Sequence, residues 1–154
     1  RADGMRFWYL NPKLENLGAP PALLAFRPNP NDFFLRGSQR LPYEDQVALL
    51  DEERARVEGR YPDSGLIVRV GHLPEWPNLA LSHFNASGGK IRIFGIDYNS
   101  NYTWTDTYEN DQQGADRGMV GRWLEANGLC AHLWNPGYVY PYLRLAPLVE
   151  IPRK

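Results

Sequence analysis

Leu66-Ile67-Val68-Arg69-Val70-Gly71-His72-Leu73-Pro74-Glu75-Trp76-Pro77-Asn78-Leu79-Ala80-Leu81-Ser82-His83-Phe84 is the stretch on which the fold reading turns. Residues 66–73 are rich in aliphatic and β-branched side chains. They place Leu66, Val68, Val70 and His72 on one face, as a strand does. The Pro-Glu-Trp-Pro-Asn run breaks that strand, and residues 79–84 read as its return. Residues 90–98 follow as a third strand after the Ser87-Gly88-Gly89 turn, and residues 102–107 as a fourth after Asn99-Ser100-Asn101. The expectation is an antiparallel meander.

Upstream, Pro42 opens a helix over residues 43–59. Glu44 and Asp45 fall in its first turn, where negative charge suits the helix dipole, and Val47, Leu50, Arg54 and Val57 recur at spacings of three and four. Residues 11–42 carry six prolines, a density that excludes a long helix. Phe26, Phe33, Phe34 and Leu35 give this part apolar anchors, so residues 5–42 are expected to lie against the domain as a proline-rich packed arm. Downstream, Ala115, Met119, Val120, Trp123 and Leu124 line one face of a helix expected over residues 111–127, with Gly128 just past its end. Gly114, Gly118 and Gly121 weigh against that helix unless they permit close packing on the sheet. Strands are expected over 129–134 and 138–145, with 148–151 adding an edge. The fold class that follows is α+β: a mostly antiparallel sheet of about five to seven strands, two helices on one face, and the arm on the other.

The bulk numbers fit one globular domain over residues 5–154. The chain has 154 residues, 43% hydrophobic and 23% charged, well away from the composition of disordered chains. A formal net charge of −1 supplies no general attraction to nucleic acid or anionic lipid. A single cysteine, Cys130, excludes an internal disulfide and fits a reducing, cytoplasmic setting. No apolar run is long enough to span a membrane, and the start lacks the order of a signal peptide. No cofactor or metal motif is present: Ser87-Gly88-Gly89-Lys90 has only the tail of a phosphate loop, and a strand follows where a helix is required.

Candidate chemistry is sparse. On the meander, His72 opposes Leu79 and His83 opposes Val68. The two histidines then sit about 13 Å apart, too far to share a zinc ion. Cys130 and His132 lie on one side of one strand, about 7 Å apart, where the base does not point at the thiol. The polar run from Asp97 to Asp111 lacks a calcium-loop spacing and reads as turns and caps. His83, Asp97, Asp106 and Glu109 remain as acid–base groups that a fold could bring together.

Aromatic residues are the stronger signal. A hairpin about Ser100 sets Tyr98 opposite Tyr102 and Ile96 opposite Trp104. Tyr138, Tyr140, Tyr142 and Arg144 form a second alternating stripe. Such faces can stack on a partner, with arginine adding anion recognition, although packing alone also places aromatics in strands. Three functions follow in order: a noncatalytic binding or protein-interaction module, a small hydrolase or nuclease, and a structural subunit whose arm wraps a neighbour. A protein partner or a second copy is the expected contact, and no membrane is expected.

Overall fold

The structure is a computed structural model and describes residues 7–9, 22–98, 101–109, 116–124 and 128–153. It is α+β, with two sheets that are mostly antiparallel. The elements run β1 (Phe7–Tyr9), β2 (Leu23–Ala25), α1 (Tyr43–Ala48), α2 (Leu50–Arg60), β3 (Ile67–Val70), α3 (Glu75–Ala86), β4 (Tyr102–Tyr108), β5 (Arg117–Leu124), β6 (Gly128–Trp134), β7 (Leu143–Arg144) and β8 (Pro147–Ile151). The larger sheet has the order β1-β6-β5-β4-β7, and the smaller one the order β2-β8-β3. The β1–β6 and β4–β7 pairs are parallel and the others antiparallel. Among the described residues no helix is long and apolar enough to cross a membrane.

The helix expected over 43–59 is present as α1 and α2, which meet at Leu49. The meander is not present. Residues 75–86 form α3, so the return strand over 79–84 and the hairpin register of His72 and His83 fall away. Both prolines that read as strand breakers suit a helix start. Pro74 caps α3 and Pro77 lies in its first turn, where backbone N–H groups have no carbonyl four residues back to meet. Trp76, Ala80 and Phe84, spaced by four, are then buried on one face.

Residues 90–98 are not a strand either. Gly95 N–H donates to the Arg92 carbonyl and Tyr98 N–H to that of Gly95, both at 3.0 Å, so local turns take the groups a ladder would need. A short 3-10 turn spans Ile96–Tyr98. The expected turn residues Asn99 and Ser100 lie outside the described residues, as do 111–115 and 125–127 of the expected second helix. Its middle is a strand, β5. Met119 opposes both Trp104 and His132, and Val120 opposes Thr103 and Ala131, so β5 is flanked by strands on both sides. Arg117 to Gly121 are buried on both faces, so apolar residues show no alternation and imitate a helical spacing.

The glycines fit this strand. A Cβ on Gly118 would meet Leu73 Cδ1 at 2.6 Å, and one on Gly121 would meet Tyr102 Cα at 2.6 Å. Gly121 begins a bulge that carries Arg122 to φ 51°. Of the strand expected over 138–145 only β7 forms. β8 is no edge; it is the middle strand of the smaller sheet.

Alternation along β5 and β6 divides the core. Val120, Leu129 and Ala131 join Trp76 and Ala80 of α3, with Phe33, Phe34 and Phe94. Met119 and Cys130 join Tyr43 and Leu50 of the α1–α2 pair, with Val68 and Val70 of β3. The helices therefore cover both faces of the larger sheet, not one, because the helix expected to accompany the first is a strand. From the proline-rich region, Phe33, Phe34 and Leu35 are buried, and Leu35 N–H donates to the Leu145 carbonyl at 2.8 Å.

Two polar contacts fasten these layers. Arg69 of β3 grips the buried Glu75 carboxylate of α3 through both terminal nitrogens, at 2.9 and 2.7 Å, and its Nε donates to Glu150 of β8 at 2.8 Å. The Arg117 guanidinium lies 3.7 Å from the Tyr43 ring centre and 4.0 Å from that of Tyr108, clamping α1 to the larger sheet.

Three outcomes test this account. Gly121→Ala should lower stability by about 1–3 kcal/mol in urea unfolding, because the new methyl meets backbone that cannot step aside. Glu75→Ala should cost about 3–5 kcal/mol by leaving Arg69 half-paired in the interior, whereas Glu150→Gln, at a more exposed position, should cost under about 1 kcal/mol. Equal effects would contradict the central place of Glu75. Burial pushes the Tyr43 and Tyr102 phenols up to about 12 from an ordinary value near 10. The folded state thus holds protons the unfolded chain releases, so stability should stay level below about pH 10 and fall from there toward about pH 12. Unfolding curves across that range, with and without Tyr43→Phe, check the sign.

Candidate functional site

The segment that joins β6 to β7 is Trp134-Asn135-Pro136-Gly137-Tyr138-Val139-Tyr140-Pro141-Tyr142, and none of its residues is charged. Two turns shape it. Tyr138 N–H donates to the Asn135 carbonyl at 3.1 Å, and Asn135 Oδ1 accepts from Gly137 N–H at 2.8 Å; Leu143 N–H then donates to the Tyr140 carbonyl at 3.1 Å. Each turn has proline in its second position, where a fixed φ favours turning.

Its backbone is tied to the rest of the fold along its length. The Pro136 carbonyl accepts from Tyr43 N–H at 2.9 Å, the Pro141 carbonyl from Gln39 Nε2 at 3.2 Å, and the Tyr142 carbonyl from Tyr102 N–H at 2.7 Å.

On this anchored loop the aromatic rings face outward. Tyr138 is 60% exposed, Tyr142 53% and Trp134 37%, with Val139 exposed between them. Tyr140 is half-buried and packs on the core beneath. The rings touch in series: Trp134 to Tyr138 at 6.0 Å, Trp134 to Tyr140 at 6.2 Å, and Tyr140 to Tyr142 at 5.5 Å between centres. Their planes are inclined by 66°, 42° and 67°, so they enclose a faceted surface and present no flat shelf.

The other expected binding residues lie elsewhere. Tyr98, Tyr102 and Trp104 are buried in the core. Tyr98 Oη donates to the Pro28 carbonyl. The hairpin that would have shown these three on one face does not form, because β4 pairs with β5 and β7. Arg144 does not extend the tyrosine surface. Its guanidinium sits 5.1 Å from the Phe34 ring centre and donates to the Leu35 carbonyl, and burial lowers its pKa.

The acid–base candidates also separate. His83 lies near the end of α3 against the Phe26 ring, Glu109 follows β4, and the side chain of Asp97 is outside those described. Asp106 does meet a histidine, but it is His72: Nδ1 and Oδ1 are 2.6 Å apart, and both side chains are about one-third exposed. Reading residues 66–84 as a hairpin hid this pair by assigning His72 to Leu79. The Cys130 thiol is pushed up by burial and His132 is pushed down, first by burial and then by Arg122. Both neutral forms are favoured, the reverse of an activated thiolate–imidazolium pair. His132 Nε2 instead lies 3.3 Å from the Tyr102 hydroxyl. Among the described residues no three of His, Cys, Asp and Glu converge to hold a metal ion.

Trp134 and Val139 were missing from the expected surface. The signal was available: two prolines punctuate a run of tyrosines without any charge, which marks a displayed loop more than a strand. No family model, curated protein or solved structure matches this chain.

Proposed function

We propose that this chain is a noncatalytic protein-interaction module whose contact surface is the aromatic loop 134–142, and that the surface it meets is a second copy of itself. One observation carries the reading: three large aromatic side chains, Trp134, Tyr138 and Tyr142, stand exposed and are linked in series through the half-buried Tyr140 on a loop whose backbone is already fixed. Tyrosine and tryptophan are enriched among the few residues that carry most binding energy at protein contacts, and a loop held in place beforehand has little ordering entropy left to lose. The formal net charge of −1 and the uncharged loop supply no attraction to a phosphate backbone, which supports a protein partner over a nucleic acid. Absence of charge from the loop supports a like partner. In a two-fold contact each residue faces its own kind of surface, and an uncharged patch meets no repulsion there.

A hydrolytic reading has one supporting observation, the His72–Asp106 pair. Among the described residues no hydroxyl or thiol hydrogen-bonds the His72 ring, so the pair lacks the nucleophile that such chemistry requires.

Sedimentation velocity over a concentration series tests the proposal. The wild-type chain should show a reversible monomer–dimer equilibrium. The Tyr138→Ser/Tyr142→Ser double variant should remain monomeric with an unchanged melting temperature, because both rings are more than half exposed. A wild-type chain that stays monomeric throughout, or a double variant that still dimerises, overturns the assignment.

A further inference from the structure

Away from the aromatic loop, a cleft of about 620 Å³ opens between α2 and the smaller sheet. Its floor is apolar, formed by Ala25, Val149 and Ile151 of the sheet with Leu66 beside them. One wall is the face of α2 that carries Glu53, Arg56, Val57 and Arg60, at spacings of three and four. Arg27 and Asp32 also line the cleft, and Tyr61 stands at the end of the helix.

The charges in this wall are organised. Glu53 is buried, and its two carboxylate oxygens are divided between Arg27 and Arg56. Each arginine engages through one nitrogen, which leaves most of its donors unspent. Glu53 thus holds two guanidinium groups of the lining in place. Arg60 makes no ion pair among the described residues; its guanidinium lies 5.6 Å from the Tyr61 ring centre. Three arginines against Asp32 and Glu53 leave a surplus of one positive charge around an apolar floor.

We infer that this cleft binds a small amphipathic monocarboxylate, its apolar body on the floor between β2 and β8 and its head on Arg60, with Arg56 beside it. The volume lies within the range that encloses a compact organic ligand. Planar guanidinium groups match a carboxylate through paired hydrogen bonds, and a surplus of one charge balances a monoanion and not a phosphate dianion. This site shares no residue with the aromatic loop, so either reading can fail without the other. The arginines that form it are scattered over residues 27–60 and are brought together by the return of the chain from β2 through α2.

Calorimetric titration of the whole chain with decanoate, and with 1-decanol as the uncharged analogue of equal length, tests the inference. Decanoate should bind saturably at one per chain, and decanol at least about tenfold more weakly, the difference expected for one charge-assisted contact. Arg60→Gln breaks no ion pair among the described residues and should weaken decanoate by about tenfold while leaving decanol unchanged. Ala25→Phe, on an edge strand, should fill the floor and abolish both. Melting curves establish that each variant is folded. Equal affinity for decanoate and decanol, unaltered binding in Ala25→Phe, or no saturable binding to the wild-type chain would each overturn it.

Discussion

The carboxylate of Glu75 is the point at which the layers of this protein are joined. It receives both terminal nitrogens of Arg69 from the smaller sheet and the backbone N–H of His72, at 2.7 Å, from the turn that leads into its own helix. That turn has no spare room. A Cβ on Gly71 would meet Leu148 Cδ1 and Trp76 Nε1, each at 2.7 Å. The Gly71 carbonyl in turn accepts from Asp106 N–H in the larger sheet at 3.0 Å. A buried carboxylate is tolerable only with such complete pairing, so its neighbours are fixed by the same requirement. Residues 69–75 consequently hold α3, β3, β4 and β8 in one arrangement.

This junction also shows where sequence reasoning reached and where it stopped. The α1–α2 helix was legible because Pro42, the acidic first turn and the 3.6-residue spacing all agree. β4 was legible as a β-branched and aromatic run, and β6 and β8 as short, mostly apolar runs between turn residues. The turn at 71–77 was misread because proline breaks a strand and starts a helix equally well, and the deciding partner, Arg69 on Glu75, is a tertiary contact. β5 was misread for a related reason. A strand buried on both faces has no alternation to display, and Gly118 and Gly121 show their purpose only when Leu73 and Tyr102 are seen against them. Of the residues singled out for function, Tyr138 and Tyr142 are displayed, Tyr140 anchors them, and Tyr98, Tyr102 and Trp104 serve the core. Alternation in sequence says that side chains share a face, but not whether that face is covered.

The two proposed surfaces use different physics. The loop 134–142 presents apolar rings without charge on a backbone fixed by hydrogen bonds to α1 and β4. The cleft sets arginines around an apolar floor and orients two of them with a single buried glutamate. Both rest on one core: Tyr140 of the loop and Val57 and Val149 of the cleft pack against the same buried cluster, which holds Tyr43, Leu50, Tyr102 and Trp104.

The order of strands in the smaller sheet constrains how the molecule can assemble. β2 and β3 never pair with each other; both pair with β8, which is reached only at residue 147. β1 likewise waits for β6, more than a hundred residues later. During synthesis from the N-terminal end, three edge strands are therefore made long before the strands that satisfy their hydrogen bonds. Contacts this distant in sequence slow folding, and the waiting edges are open to pairing with other chains. Charged Arg69 on β3 and the prolines that flank β2 lessen that hazard, so the composition of the proline-rich segment protects the nascent chain as well as shaping the finished one.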